Sequence, residues 1–488
     1  MSARTVANAS ELDNPARWHA FFVCIGVGAL TILDLSGVNV ALPSIQNSLN
    51  ADSTELQLIV AGYTLAFGLA LVPSGRLGDR FSRRTFFVVG LAAFTIASAL
   101  CAVAPNEIWL TVARLIQGFA AGIQMPQVLG MNQQLFRGEE RGRAFGIFGG
   151  MIGVATALGP TLGGLVIGLG GSTNGWRLLF AINVPLGIAA IIFSLRLLPR
   201  NQEHEPGNTE LDPVGVVLLG ITIFCFMLPF LLTSGAKTDD PLRWLWLIGF
   251  AAGALAFVIW ERAYGRRGKS PIVHFDLFAM RSYRNGLLVA TSYFSGMPAA
   301  FLITTLFLQE GLKRSPLLAG LVVVPFAVSS GIAAVIGGRL INRFGRALVV
   351  VGIATVIVGV SLTVIATQFA PPETVEWYMG AALLVGGAGG GLVIAPNQTL
   401  TLSEIPVTEG SAAGSMTQLG QRLGTALGVS AVTAVFFGVV LSAGHKLMSY
   451  QDAYRDGFFV TIGLLVVSLV IGLVDLRERT DRNRTSRS

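Results

Sequence analysis

The sequence predicts an all-α integral membrane protein: two six-helix bundles with two further transmembrane helices inserted between them, fourteen spans in all. Three observations predict it. First, 52% of the 488 residues are hydrophobic and only 12% are charged, against about 25% charged in an ordinary soluble domain. So few charges cannot cover a soluble surface of this size, whereas lipid can. Second, apolar runs recur at the length a helix needs to cross the hydrocarbon core, about 20 residues. Third, distinctive segments of the first half return in the second at a nearly constant offset.

The runs can be placed in order. Residues 1–17 form a short N-terminal segment. Spans near 18–43, 55–75, 86–104, 108–133, 143–170 and 177–198 make a first bundle over 18–199. Residues 200–284 form a linker region. It opens with the polar stretch Arg200 to Asp212 and holds two more spans near 213–234 and 242–262. A second bundle over 285–476 has spans near 285–309, 316–338, 347–368, 377–402, 411–441 and 457–476. A basic tail, 477–488, closes the chain.

Orientation follows from the excess of Lys and Arg in cytoplasmic loops. With the N-terminus cytoplasmic, 25 of the 34 basic residues fall inside and 7 outside, while Arg114 and Arg422 lie within spans. The expected location is the cytoplasmic membrane, multi-pass, with both termini in the cytoplasm. The net charge of +7 thus reads as topology. No aromatic-interleaved basic patch suggests a nucleic-acid partner. Cys24, Cys101 and Cys225 all sit in apolar runs and no histidine is mid-span, so neither a disulfide framework nor a metal site is expected. The first run is too long for a cleavable signal and contains Asp34. No glycine loop ending in Lys-Ser/Thr is present, and no nucleophile–base set appears. An enzyme, a cofactor and ATP drive are therefore not expected.

The repeat is the strongest organisational signal. Gly75-Arg76-Leu77-Gly78-Asp79-Arg80-Phe81-Ser82-Arg83 returns as Gly338-Arg339-Leu340-Ile341-Asn342-Arg343-Phe344-Gly345-Arg346, 263 residues later. Thr156-Ala157-Leu158-Gly159 returns as Thr425-Ala426-Leu427-Gly428, and the prolines Pro126 and Pro396 correspond at 270. Two six-helix halves of the same topology are implied, with the surplus between them forming the inserted pair.

The motifs have a physical reading of their own. In the loop after the second span, Gly75 permits close helix contact, and Asp79 can cap a helix or pair with arginines. Arg80, Arg83 and Arg84, with Arg343 in the second copy, either complete a latch between the halves or serve only as topology charges. Asn342 replaces Asp79 in the second copy, so pairing there should be weaker. The fourth span carries Arg114, an expensive residue in a membrane that calls for a cavity or a partner; it either takes part in proton coupling or ties helices together. The fifth carries Gly149, Gly153, Gly159-Pro160 and Gly163-Gly164, a bare face against which another helix can pivot, with a proline that kinks it.

The Gly75–Arg84 loop, Arg114-Leu115-Ile116-Gln117-Gly118, the Gly-Pro-x-x-Gly-Gly order of the fifth span and Leu33-Asp34-Leu35-Ser36-Gly37-Val38-Asn39 together resemble the major facilitator superfamily. Trp176 to Gly187 and Leu211-Asp212-Pro213-Val214-Gly215 resemble its fourteen-span drug:proton antiporter branch. The similarity extends over about 18–476. The resemblance implies the major facilitator fold, alternating access, and the fifth-span motif of exporters.

Asp34 is the clearest deep carboxylate. Burial and a nearby Arg114 act on its proton in opposite senses, and one site that binds either a proton or a substrate cation gives exchange without further machinery. The alternative is a structural aspartate hydrogen-bonded beside Ser36 and Asn39. Glu310 is a second candidate for coupling. Asn39, Tyr63, Gln117, Gln124, Asn183, Tyr293, Asn397, Gln398, Gln418 and Arg422 are expected to line a cavity between the halves, being polar at membrane depth. The charge of Arg422 also leaves room for anionic substrates. The expected function is export of amphipathic, chiefly cationic, drugs or toxic compounds in exchange for protons, the partners being small-molecule substrate, protons and the bilayer, with a single chain as the functional unit. The alternatives are a dedicated exporter of one metabolite, antibiotic or lipid, and a non-transporting receptor or scaffold.

Overall fold

The computed structural model describes residues 14–51, 53–171, 173–199, 212–231, 240–269, 271–273, 275–443 and 447–485. These residues are almost wholly helical. The first half comprises α1 (Asn14–Leu49), α2 (Ser53–Arg80), α3 (Arg83–Ala102), α4 (Glu107–Leu135), α5 (Gly138–Gly170), α6 (Gly175–Ala181) and α7 (Asn183–Leu197). The inserted pair is α8 (Pro213–Leu231) and α9 (Trp246–Arg266), the latter led by a 3-10 turn. After the short α10 (Asp276–Ala279) come α11 (Arg281–Leu306), α12 (Pro316–Phe344), α13 (Arg346–Phe369), α14 (Val375–Thr401), α15 (Gly410–Ala443) and α16 (Leu447–Thr485).

Local chemistry sets several ends. Ser82 and Asn106 cap α3 and α4 by accepting from the amides of Thr85 and Trp109, and Ser315 caps α12 just before Pro316, each satisfying an orphan amide of a first turn. The expected spans differ from the helices in three ways. Some helices overrun the apolar runs at both ends, as α1 and α2 do. The sixth span is two helices meeting at Ile182. In the ninth, the last turn widens into a π-turn at Phe307–Gly311.

Among the described residues, twelve helices are long and apolar enough to cross a membrane. Helix α5 makes a thirteenth when its two pieces, Glu140–Thr156 and Thr161–Gly170, bent by 44°, count as one span. The expected fourteenth, α4, is 29 residues long, but Arg114, Gln117, Gln124 and Gln127 interrupt its apolar stretch. By length and hydropathy the count of fourteen is therefore not reached.

Packing repeats between the halves. The main pairs of the first half are α2 with α4, α3 with α4, α1 with α5 and α3 with α7. Their counterparts in the second are α12 with α14, α13 with α14, α11 with α15 and α13 with α16. The halves meet along two equivalent seams, α5 on α12 and α2 on α15. Helix α8 lies over the second seam, packing on both α2 and α15. Helix α9 packs on α8 and otherwise presents apolar side chains such as Ile248, Leu255 and Ile259 outward.

Candidate functional site: a buried carboxylate–arginine pair and a sealed end

Asp34 on α1 is 2% exposed and Arg114 on α4 is fully buried. Arg114 Nη1 donates to Asp34 Oδ2 at 2.8 Å. Asp34 Oδ1 accepts from Asn183 Nδ2 on α7 at 2.7 Å and from Gln117 Nε2 at 3.1 Å. Gln117 sits one turn beyond Arg114 on α4, accepts from its Nη1 at 2.7 Å and donates to Ser98 on α3 at 2.8 Å. The guanidinium lies 4.1 Å over the Tyr63 ring and 5.5 Å from that of Phe180. Helices α4 and α7 thus supply polar groups to one carboxylate on α1, and α3 joins through Gln117. A buried charge left without a partner costs several kcal/mol, so this cluster is a strong constraint on how the first bundle packs.

Tyr63 stacks on Phe67 of the same helix at 6.1 Å, and Arg422 of α15 stands 4.5 Å over Phe67. An aromatic ladder therefore leads from the Asp34–Arg114 pair to an arginine of the other half. Gln418, one turn from Arg422, donates to Met125 O across the halves at 3.4 Å. A small cavity in the second half is lined by Tyr293, Gln398, Asn397 and Gln421 among others.

At the end of the bundle that carries both termini, the loop motif crosses between the halves. Arg83 donates to Asp79 through Nε at 2.8 Å and Nη2 at 2.6 Å. Asp79 Oδ1 and Oδ2 accept from the amides of Ser411 and Ala412 at 3.1 and 2.7 Å. Asp79 thereby caps the N-terminus of α15, where carboxylates are favoured. Arg83 reaches on to Val407 O in the other half and to Gly130 O, and Gln133 donates to Leu402 O. A Cβ on Gly75 would lie 2.7 Å from Ser411 O. These hydrogen bonds between the two bundles lie between this end and Gln418.

The second copy is built differently. Arg343 is exposed and sits 5.3 Å over Phe344, so the structure does not place it in a latch. The buried arginine is Arg346, the repeat partner of Arg83. Its carboxylate comes from Asp475 on α16, not from its own loop, and Asn397 joins the cluster. Asp475 also accepts from Asn285 at 2.8 Å.

The α5 glycines divide into two sets. Gly149 and Gly153 face Ala395 and Ser330 of the second half, together with Gly142 and Gly146, which pack on Gly338 and Ala334. Gly159 and Gly163 face Ser36 and Gly37 of α1, immediately after Asp34, while Gly164 has nothing nearer than Val40 at 3.9 Å. The break in α5 includes Pro160.

Several expected site residues are elsewhere. Glu310 is exposed and paired with Lys313 at 3.3 Å near the opposite end, remote from Asp34. Asn397 is committed to Arg346 and Gly286 O. Gln124 ties α4 to Thr31 of α1. Arg84 donates to Leu195 O and Arg80 lies against Phe81. The side chains of Asn39 and Pro160 lie outside the described residues. The sequence reading missed Ser98, Phe67, Phe180 and the Arg346–Asp475 pair; the 263-residue offset pointed to Arg346, but no pattern linked it to an acid so far along the chain. Among the described residues no group of side chains could hold a metal ion.

A profile of the Major Facilitator Superfamily matches residues 24–429 and 286–488. The "Probable actinorhodin transporter" of Streptomyces coelicolor is 34% identical over 430 residues, covering 87% of this chain and 73% of that one. A puromycin resistance protein of Streptomyces alboniger is 30% identical over 487 residues, covering 97% and 94%. Among solved structures, a proton:xylose symporter bound to 6-bromo-6-deoxy-D-glucose superposes with a TM-score of 0.65 at 16% identity, covering 96% of each chain; that likeness concerns the fold. With a profile matched over most of its length and two relatives at 30% identity or above, the chain belongs to the major facilitator superfamily.

Proposed function

We propose that this transporter exports amphipathic organic compounds, antibiotics among them, in exchange for protons, as a member of the drug:proton antiporter branch. The observation that carries the reading is the Asp34–Arg114 pair, buried within the first bundle and backed by the exporter-type glycines of α5. Protonation of Asp34 removes the charge that holds Arg114, Gln117 and Asn183 in place, and so couples one proton to a rearrangement of α1, α4 and α7. The Asp79–Arg83 contact with α15 serves as the latch, holding the halves together at the terminal end. With the termini cytoplasmic, as the basic residues argue, the latched state faces outward. Residues 18–199 and 285–476 act as the two moving halves, and a single chain suffices. Relatives named for puromycin resistance and for actinorhodin support drug or antibiotic cargo. The second reading, a dedicated exporter of one compound, draws on the relative named for actinorhodin alone.

Inverted membrane vesicles test the proposal. When acidified inside, they should lose part of their pH gradient on addition of a transported amphipathic compound, and Asp34→Asn should abolish that response. An undiminished response in Asp34→Asn removes Asp34 from the coupling step.

A further inference from the structure

The charges inside the bundle are not balanced, and the imbalance bears on the cargo. Asp34 is nearly sealed from solvent and already receives Arg114, Asn183 and Gln117 between 2.7 and 3.1 Å. A carboxylate has about four acceptor positions, so little is left for a substrate cation. Arg422 is in the opposite situation. It is half-buried and so reaches open space, and among the described residues no carboxylate lies within ion-pairing distance of it. It is twelve residues into α15 from Gly410, about 18 Å at 1.5 Å per residue, and thus within the bilayer. Its guanidinium lies over an aromatic face, Phe67, backed by Tyr63. Among the described residues the Tyr63 hydroxyl has no hydrogen-bond partner. A bare guanidinium at this depth is costly, and its planar fork matches a carboxylate.

Resting on the exporter reading above, we infer that Arg422 is the recognition site for an acidic group on the cargo, and that the preferred substrates are amphipathic aromatic anions. The carboxylate or phenolate pairs with the guanidinium, and the ring system lies along Phe67 and Tyr63. Asp34 and Arg114 remain the proton site, spatially linked to the substrate by the aromatic ladder. There is an electrical consequence. Exchange of one inward proton for one outward monovalent anion moves two charges per cycle in the same sense, whereas exchange for a monovalent cation moves none. Export should therefore quicken when the terminal side is made negative.

Three probes separate the possibilities: 2-naphthoate, its methyl ester, and tetraphenylphosphonium. Binding is titrated on the full-length protein in lipid nanodiscs against empty nanodiscs, and flux is followed in proteoliposomes. The wild type should bind naphthoate about tenfold more tightly than the ester, the scale of charge-assisted hydrogen bonds. Arg422→Gln should bind the two equally, with ester binding unchanged, and Arg422→Lys should keep a reduced preference. If Arg422→Gln loses the ester as well, Arg422→Lys decides, since its preference must fall without vanishing. A wild type that binds the ester or tetraphenylphosphonium as tightly as naphthoate overturns the inference, as does a naphthoate preference that survives in Arg422→Gln. The exporter reading fails separately. Naphthoate binding at Arg422 with no proton-linked flux of any probe would sink export and leave the anion site. Proton-linked flux of tetraphenylphosphonium alone would do the reverse.

Discussion

At the scale of single residues, two buried arginines repeat at 263 residues yet find their acids by different routes. Arg83 takes Asp79 from one turn back on its own loop. Asn342 stands at the matching place in the second half, and Arg346 takes Asp475 from α16 instead. The weaker pairing that Asn342 suggested is replaced by an acid 129 residues further on in the chain. Removing one member of a buried ion pair leaves the other uncompensated and costs about 3–5 kcal/mol. Asp475→Ala should therefore destabilise the second half by that amount, measurable as lower thermal stability in detergent. Asp475→Asn, which keeps an acceptor for Asn285, should cost less. The acid could not be read from the sequence because nothing local distinguishes Asp475 from any carboxylate near a span end.

At the scale of elements, α5 is the piece that touches both sides. Its first stretch packs by glycine against α12 and α14 of the other half, and its second stretch packs against α1 just past Asp34. The bend between Thr156 and Thr161 falls where the glycine contacts pass from the second half to α1. A movement of α5 against α12 is thus transmitted by direct contact to the helix that carries the carboxylate. The glycines were legible as a bare face, but which helix each one met was not, because helical spacing gives a direction and not a neighbour. Gly338 on α12 is the tightest reciprocal position on that seam, since a Cβ there would lie 2.5 Å from Gly142 O. Gly338→Val should destabilise the latched state by about 1–3 kcal/mol, the usual cost of over-packing, and lower transport accordingly. Gly164→Ala, with its nearest atom at 3.9 Å, should leave transport and stability unchanged. Thermal unfolding and flux in the same preparations check both.

For the whole molecule, the two seams behave differently. The α5–α12 seam runs from Gly142–Gly338 at the terminal end to Thr161–Gly320 towards the other, whereas the hydrogen bonds across α2, α4 and α15 gather at the terminal end. That distribution fits a hinge along one seam with a closure at the other, and α8 lies over the closing seam. A Cβ on Gly130 would lie 3.0 Å from Ser411 Cβ across the closure, near the separation a disulfide spans, and the native cysteines are all buried. Paired substitutions Gly130→Cys and Ser411→Cys should therefore cross-link under mild oxidant, stop transport, and release it again on reduction. Transport that continues in the cross-linked protein would show that the terminal end need not open.

The sequence by itself determined the membrane class, the two-half repeat, the inserted pair and the identity of Asp34 and Arg114 as deep charges. Each of these is written in composition, run length, offset or a lone ion in an apolar stretch, and all are local or periodic properties of the chain. Only the tertiary structure decided that Asn183 and Gln117 saturate Asp34, that Glu310 is paired at the surface, that Asp79 caps a helix of the opposite half, and that Arg422 faces an aromatic ladder with no acid beside it among the described residues. The physical reason is that a buried charge is defined by its partners, and here those partners come from helices as much as 333 residues apart, brought together by packing that no local pattern encodes.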